Sequence, residues 1–156
     1  MRFLGNIIWF LLGGWALFIG YALAAVIFFP LFAPLFRIAR FSAWPFGSAA
    51  ISKAKLEKYR EIQGKSIDKG TLEVSFDNVG TLLNVLWFPV GLILALTHFF
   101  ASIANLVLFF LIVTIPNIAG HWRLMPVALF PFNKVIVPAE IANEIEMAIR
   151  KNKLKI

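Results

Sequence analysis

Asn6-Ile7-Ile8-Trp9-Phe10, near the start of the chain, returns as Asn84-Val85-Leu86-Trp87-Phe88. The offset is 78 residues, and Gly13 falls on Gly91 at the same offset. Further on, Pro30 falls on Pro116, Arg37 on Arg123, Pro45-Phe46 on Pro131-Phe132, and Ile51 on Val137, now at an offset of 86. The second copy therefore carries eight extra residues between Gly91 and Pro116. Landmarks in one order are the signature of an internal repeat. Each copy reads as an uncharged block, a proline break, an aromatic-basic stretch (37–44, 123–130), a Pro-Phe turn, a short run (48–52, 134–137) and a charged helix (53–63, 138–153).

The blocks set the solvent. No Asp, Glu, Lys or Arg occurs from Phe3 to Phe36 or from Asn78 to Trp122. The chain of 156 residues is 60% hydrophobic and 15% charged, with a mean hydropathy of +0.83. A soluble domain is about 45–50% apolar and about 25% charged. So much apolar surface does not fit inside a domain of this size. That excludes an ordinary soluble enzyme and a disordered chain, and it makes the lipid bilayer the first partner. The net charge is +7 and the pI about 10.1. The basic residues flank the uncharged blocks, as in segments held on the cytoplasmic side facing anionic lipid headgroups. Nucleic acid is not an expected partner. With no cysteine, disulfide and thiolate chemistry are excluded. The first apolar run is 34 residues long, against about 7–15 for a signal-peptide core, and is read as retained.

The Asn-x-x-Trp-Phe opening, the Pro break, the following Arg and the Trp44-Pro45-Phe46-Gly47 turn, all present twice, resemble the YccF-like bacterial inner-membrane proteins. The resemblance covers nearly the whole chain. It implies a small multipass inner-membrane protein and carries no settled activity and no catalytic residues. The second copy departs from the turn with Phe130-Pro131-Phe132-Asn133. Asn tolerates positive φ next best after Gly, so the turn is expected to survive there.

The fold expected is membrane α-helical, in two tandem repeats. Each repeat is a short transmembrane or re-entrant hairpin followed by an interfacial helix, a short strand and a charged cytoplasmic helix. The divisions are 1–63, a cytoplasmic linker or short strand at 64–80, and 81–156. A span needs about 20 apolar residues. Blocks of 31 (6–36) and 33 (84–116) residues are long for one span and short for two. Hairpins bent at Gly20-Tyr21 and Thr97-His98 keep every charged segment, and both termini, inside. A bend at depth needs its backbone bonded and buried, which points to a homo-oligomer. Runs 48–52 and 134–137 are expected to pair as strands, with Thr71–Phe76 as a third through its alternation. Helix 138–153 places Ile141, Ile145 and Ile149 on one stripe.

Candidate sites are few. Asn6 and Asn84 are either N-caps or members of a pore or ligand ring. His98, in an uncharged block, is either a bonded core residue or a relay for a proton or ion. Asn105, with Ser102 and Thr97, lines the second hairpin or bonds helix to helix. Arg37 and Arg40 with Trp44 suit the headgroup level, and Arg37, Arg40 and Arg123 are candidates for an anion or headgroup site. Neither His98 nor His121 has a His, Asp or Glu at i+3 or i+4, so no metal pair is expected. No cofactor motif and no nucleophile–base set is present, so enzyme activity is not expected. Two functions stay open. One is an oligomeric channel or transporter-like pathway for an ion or small solute. The other is a non-enzymatic structural or accessory protein that binds lipid or a membrane partner.

Overall fold

The computed structural model describes residues 2–65, 71–108 and 110–154, with the backbone alone at 30 and 71–78. Helix α1 (Arg2–Trp9) runs through an irregular turn at Phe10–Gly14 into α2 (Trp15–Ile27). A 3-10 turn at Phe29–Leu31 reverses the chain into α3 (Phe32–Ala43), followed by strand β1 (Ser48–Ser52) and α4 (Lys53–Ile62). The long α5 (Thr71–Val107) reverses through Ile112–Thr114 into α6 (Ile115–Leu129), then β2 (Lys134–Pro138) and α7 (Ala139–Lys153). Helix α2 packs on α3 and α5 on α6, giving two hairpins.

Two helices are long and apolar enough to cross a membrane, Arg2–Ile27 and Val79–Val107, with 26 and 29 residues. Only 17% of the most apolar window in each is buried, so neither is the core helix of a soluble domain. The chain is a helical membrane protein with two candidate spanning helices.

The bends are not where the small residues suggested. Gly20-Tyr21 lies inside α2 and Thr97-His98 inside α5. Glycine and threonine cost a helix only about 1 kcal/mol or less, so packing keeps the helix going. The chain turns instead at 28–31, where Pro30 has no N–H to extend α2, and at 108–114. The second bend closes on itself: the Thr114 hydroxyl donates to Leu108 O (3.0 Å) or Leu111 O (2.9 Å). The stretch expected to form an interfacial helix, Arg37 to Trp44, is the end of the return arm α3 and its cap. Residues Thr71–Phe76, expected as a strand, form the first turns of α5. The segment continues without a break into the long apolar run of α5, so helix propagation overrides its short alternation. The linker expected at 64–80 shrinks accordingly, and 66–70 lie outside the described residues.

Strands β1 and β2 do pair, antiparallel, from Ser48↔Pro138 to Ser52↔Lys134. Ala50 faces Ile136, its own counterpart at the 86-residue offset. The ladder thus has a local two-fold relation between the halves. Helices α4 and α7 pack together over it. Lys55 Nζ donates to Glu146 Oε1 at 2.8 Å, and the Tyr59 hydroxyl donates to Glu144 Oε1 at 2.5 Å. Of the expected isoleucine stripe, Ile145 is fully buried and Ile141 stays exposed. The turn survives at 132–133 as at 46–47, although Gly47 stands at φ 104° and Asn133 keeps a negative φ.

The two-fold relation stops at the membrane part. Gly13, at φ 147°, lets α1 swing off the axis of α2 and pack on α6. There the Trp9 ring lies on Gly120, where any Cβ would strike it. The counterpart of Gly120 at the 86-residue offset is Pro34. Helix α5 continues through its own counterpart of Gly13, Gly91, and packs on α6. A Cβ at Gly91 would lie 2.8 Å from the Ala128 and Leu129 carbonyls.

Gly120→Ala is expected to lower stability by about 1–3 kcal/mol through overpacking, read as a fall in the unfolding temperature in detergent. Gly20→Ala, with nothing within 4 Å, is expected to leave it unchanged or raise it. The Arg2 hydrogen bond holds the Glu140 carboxyl below the ordinary carboxylate range, and the Lys55 bond does the same for Glu146. Depressed folded-state values mean stability that is present above the unfolded pKa and lost as pH falls through the folded one. Both pairs are exposed, so the expected result is a small acid-side drop in melting temperature that Glu140→Gln with Glu146→Gln flattens.

Candidate functional site

The duplicated Asn-x-x-Trp pair proves to be a clamp. Asn6 Nδ2 donates to Phe46 O at 2.7 Å, and Phe46 N donates back to Asn6 Oδ1 at 2.9 Å. One turn later, Trp9 Nε1 donates to Ser42 O at 2.7 Å. In the second half, Phe132 N donates to Asn84 Oδ1 at 3.1 Å and Trp87 Nε1 to Ala128 O at 2.9 Å. The outgoing arm of each hairpin is thus tied to the last carbonyls of its return arm and to the turn beyond. Asn6 lies inside α1 and Asn84 inside α5, so neither is an N-cap. The spacing of three puts the amide and the indole on one helix face.

His98 and His121 meet across the second hairpin, with their Nδ1 atoms 3.0 Å apart. One ring must carry the proton at Nδ1 and the other leave it bare, so the neutral pair holds opposite tautomers. Trp9 approaches His121 edge-on, with ring centroids 5.0 Å apart. Local spacing could not reveal this pair, because its members lie on different arms 23 residues apart. Their shared uncharged setting was the available signal. Among the described residues, no group of three or more His, Asp or Glu is placed to hold a metal ion. Asn105 Nδ2 donates to Ala101 O of its own helix at 2.8 Å, and Ser102 is buried against α6.

The three arginines are not brought together. Arg37 and Arg40 are exposed on α3, and Arg37 Nε reaches only Ala33 O, at 3.4 Å. Arg123 crosses to the first half, donating through Nη1 to Pro45 O (3.3 Å) and Ser48 O (3.0 Å). Its guanidinium stands 5.5 Å over the Phe46 ring.

A cavity of about 580 Å³ separates α2 from α5. Its walls include Leu17, Gly20, Tyr21, Leu86, Trp87 and His98. The surface is almost wholly hydrocarbon. Tyr21 is 7% exposed, and its hydroxyl has no hydrogen-bond partner among the described residues. A buried phenol without a partner costs about 1–3 kcal/mol. It is the residue the sequence reading missed, since a lone Tyr in an apolar run looks like packing.

Asn6→Ala is expected to cost about 2–3 kcal/mol by stranding the Phe46 N–H and C=O. Asn84→Ala, with one bond at stake, is expected to cost about half of that; chemical denaturation in detergent measures both.

The family model described as an inner membrane component domain, YccF, matches residues 4–48 and 82–134. The curated Inner membrane protein YccF of Escherichia coli (strain K12) is 30% identical over 149 residues, covering 91% of both chains. Its namesake from Shigella flexneri matches to the same extent. No solved structure matches. The matched stretches hold both clamps and both return arms, and the chain belongs to the YccF family of inner-membrane proteins.

Proposed function

We propose that this is a non-enzymatic accessory protein of the inner membrane that holds a lipid-class amphiphile in the cavity between α2 and α5. The observation that carries the reading is the cavity itself, about 580 Å³ of almost wholly hydrocarbon surface between two helices of a membrane protein. Its volume lies in the range of about 300–1,000 Å³ typical of small-molecule sites. A hydrocarbon chain matches that lining. The groups nominated for a conducting path are engaged elsewhere. The amides of Asn6, Asn84 and Asn105 bond to backbone, and the two histidines bond to each other.

The topology proposed with it is two repeats of like orientation, entering from the cytoplasmic face and returning to it. The bends support this. Ile27, Phe29, Phe110 and Ile112 are exposed at 66–78%, and no charged residue lies at either bend. An apolar tip suits hydrocarbon, not headgroups. The return arms have 12 and 15 residues, about 18 and 22 Å at 1.5 Å each, against a core of about 30 Å. The hairpins therefore stop inside the far leaflet. Several bend amides are bonded within the chain, among them Phe28 N to Ala24 O, Leu31 N to Phe28 O and Leu111 N to Leu108 O, which suits that depth. A second copy would cover the exposed apolar flanks.

The test is photolabelling in liposomes with a diazirine-bearing phosphatidylcholine. Labels are expected on α2 and α5 residues facing the cavity, with loss of those labels in Gly20→Phe, which fills it. No ion flux is expected from the same vesicles. Uniform labelling of lipid-facing residues, unchanged by Gly20→Phe, overturns the reading. Flux abolished by His98→Ala overturns it in favour of an oligomeric channel.

A further inference from the structure

A second groove, of about 710 Å³, runs along the opposite side of α6. At one end lie Arg2, Ser48 and Arg123, and at the other Ile115, Pro116 and Ala119. Arg123 and Ile115 are eight residues apart on one helix, about 12 Å at 1.5 Å per residue. The groove is thus cationic at the end nearer the charged layer and apolar toward the bend. That polarity matches one lipid leaflet, with phosphate at the headgroup level and chains pointing to the bilayer centre.

Arg123 is built to serve this end. Its Nη1 is anchored on the Pro45 and Ser48 carbonyls, and Phe46 supports the plane of the guanidinium. Nε and Nη2 have no partner among the described residues, and the side chain lines the groove. A guanidinium held in a fixed orientation with free N–H groups suits bidentate binding of a phosphate. Arg2 is paired with Glu140, which leaves the groove one net positive charge. The counterpart of Arg123, Arg37, lies exposed on α3 without such anchors and outside the groove.

We propose that this groove is a binding site for one anionic phospholipid of the cytoplasmic leaflet. Arg123 holds the phosphate, Arg2 flanks it, and an acyl chain lies along Ala119, Pro116 and Ile115. The site is separate from the α2–α5 cavity and does not depend on it.

The experiment is native mass spectrometry of the full chain released from nanodiscs containing equal phosphatidylglycerol and phosphatidylcholine. Phosphatidylglycerol is expected to be retained at least about fivefold over phosphatidylcholine, the preference one arginine supplies at an anionic surface. Arg123→Gln is expected to abolish the preference, and Arg37→Gln, removing the same charge outside the groove, to leave it intact. Because Arg123 also braces the first turn, Ala119→Trp serves as the second variant. It fills the apolar end, keeps every charge, and is expected to cut retention of phosphatidylglycerol severalfold. Equal retention of the two lipids, equal loss in Arg37→Gln and Arg123→Gln, or full retention in Ala119→Trp would each overturn the proposal. Gly20→Phe leaves this result untouched, so failure here and failure of the cavity reading are told apart.

Discussion

Each hairpin depends on a level tie between its two ends. Within hydrocarbon, arms of a helical pair slide against one another with little penalty, because side chains meet lipid or protein on similar terms. A tie made of directional hydrogen bonds removes that freedom. Asn and Trp, one turn apart, take the carbonyls that the end of the return arm leaves open and the amide of the turn beyond. Helix C-termini always leave such carbonyls over, and in an apolar setting they need partners. The clamp thus finishes a helix, sets the register of a hairpin and positions a strand with the same two side chains.

Two copies of one unit would give a symmetric molecule, and the strand ladder keeps that symmetry. The membrane part departs from it through few residues. Glycine at 120 admits the Trp9 ring, and its counterpart at 34 is a proline. Gly13 bends where Gly91 does not. The chain thereby fills one slot with its own helix and leaves the other as a cavity. The half-buried Trp87 and the buried Trp9 have the same indole bond and different surroundings. The extra eight residues of the second copy lengthen its hairpin and carry no charge.

Periodic and compositional features were legible from residues alone. Uncharged blocks announced the membrane, and runs 48–52 and 134–137 announced their pairing. The bends were not legible, because a glycine or threonine is tolerated in a packed helix, and the chain turns later, at Pro30 in the first half and at 108–114 in the second. Segment 71–76 alternates like a strand, yet it continues without a break into the long apolar α5. The clamp was visible as Asn and Trp, but its partners are backbone groups, which no residue type advertises. The histidine pair and the Tyr21 phenol acquire meaning only from elements far apart in sequence. Arg123 was legible as a cation at an apolar boundary; its anchoring on Pro45 and Ser48 belongs to the other half of the chain.

The ladder between β1 and β2 carries an implication for biogenesis. The first hairpin closes its clamp with residues no more than 40 positions apart, so it can settle in the bilayer while translation continues. Strand β1, however, must wait for residues 134–138 before its edge is covered. At roughly 5–20 residues per second, the ribosome leaves that edge open for several seconds. An unpaired edge invites pairing with another chain. Small, weakly adhesive residues in that strand, Ser48-Ala49-Ala50-Ile51-Ser52, suit an element that must stay idle until its mate is made.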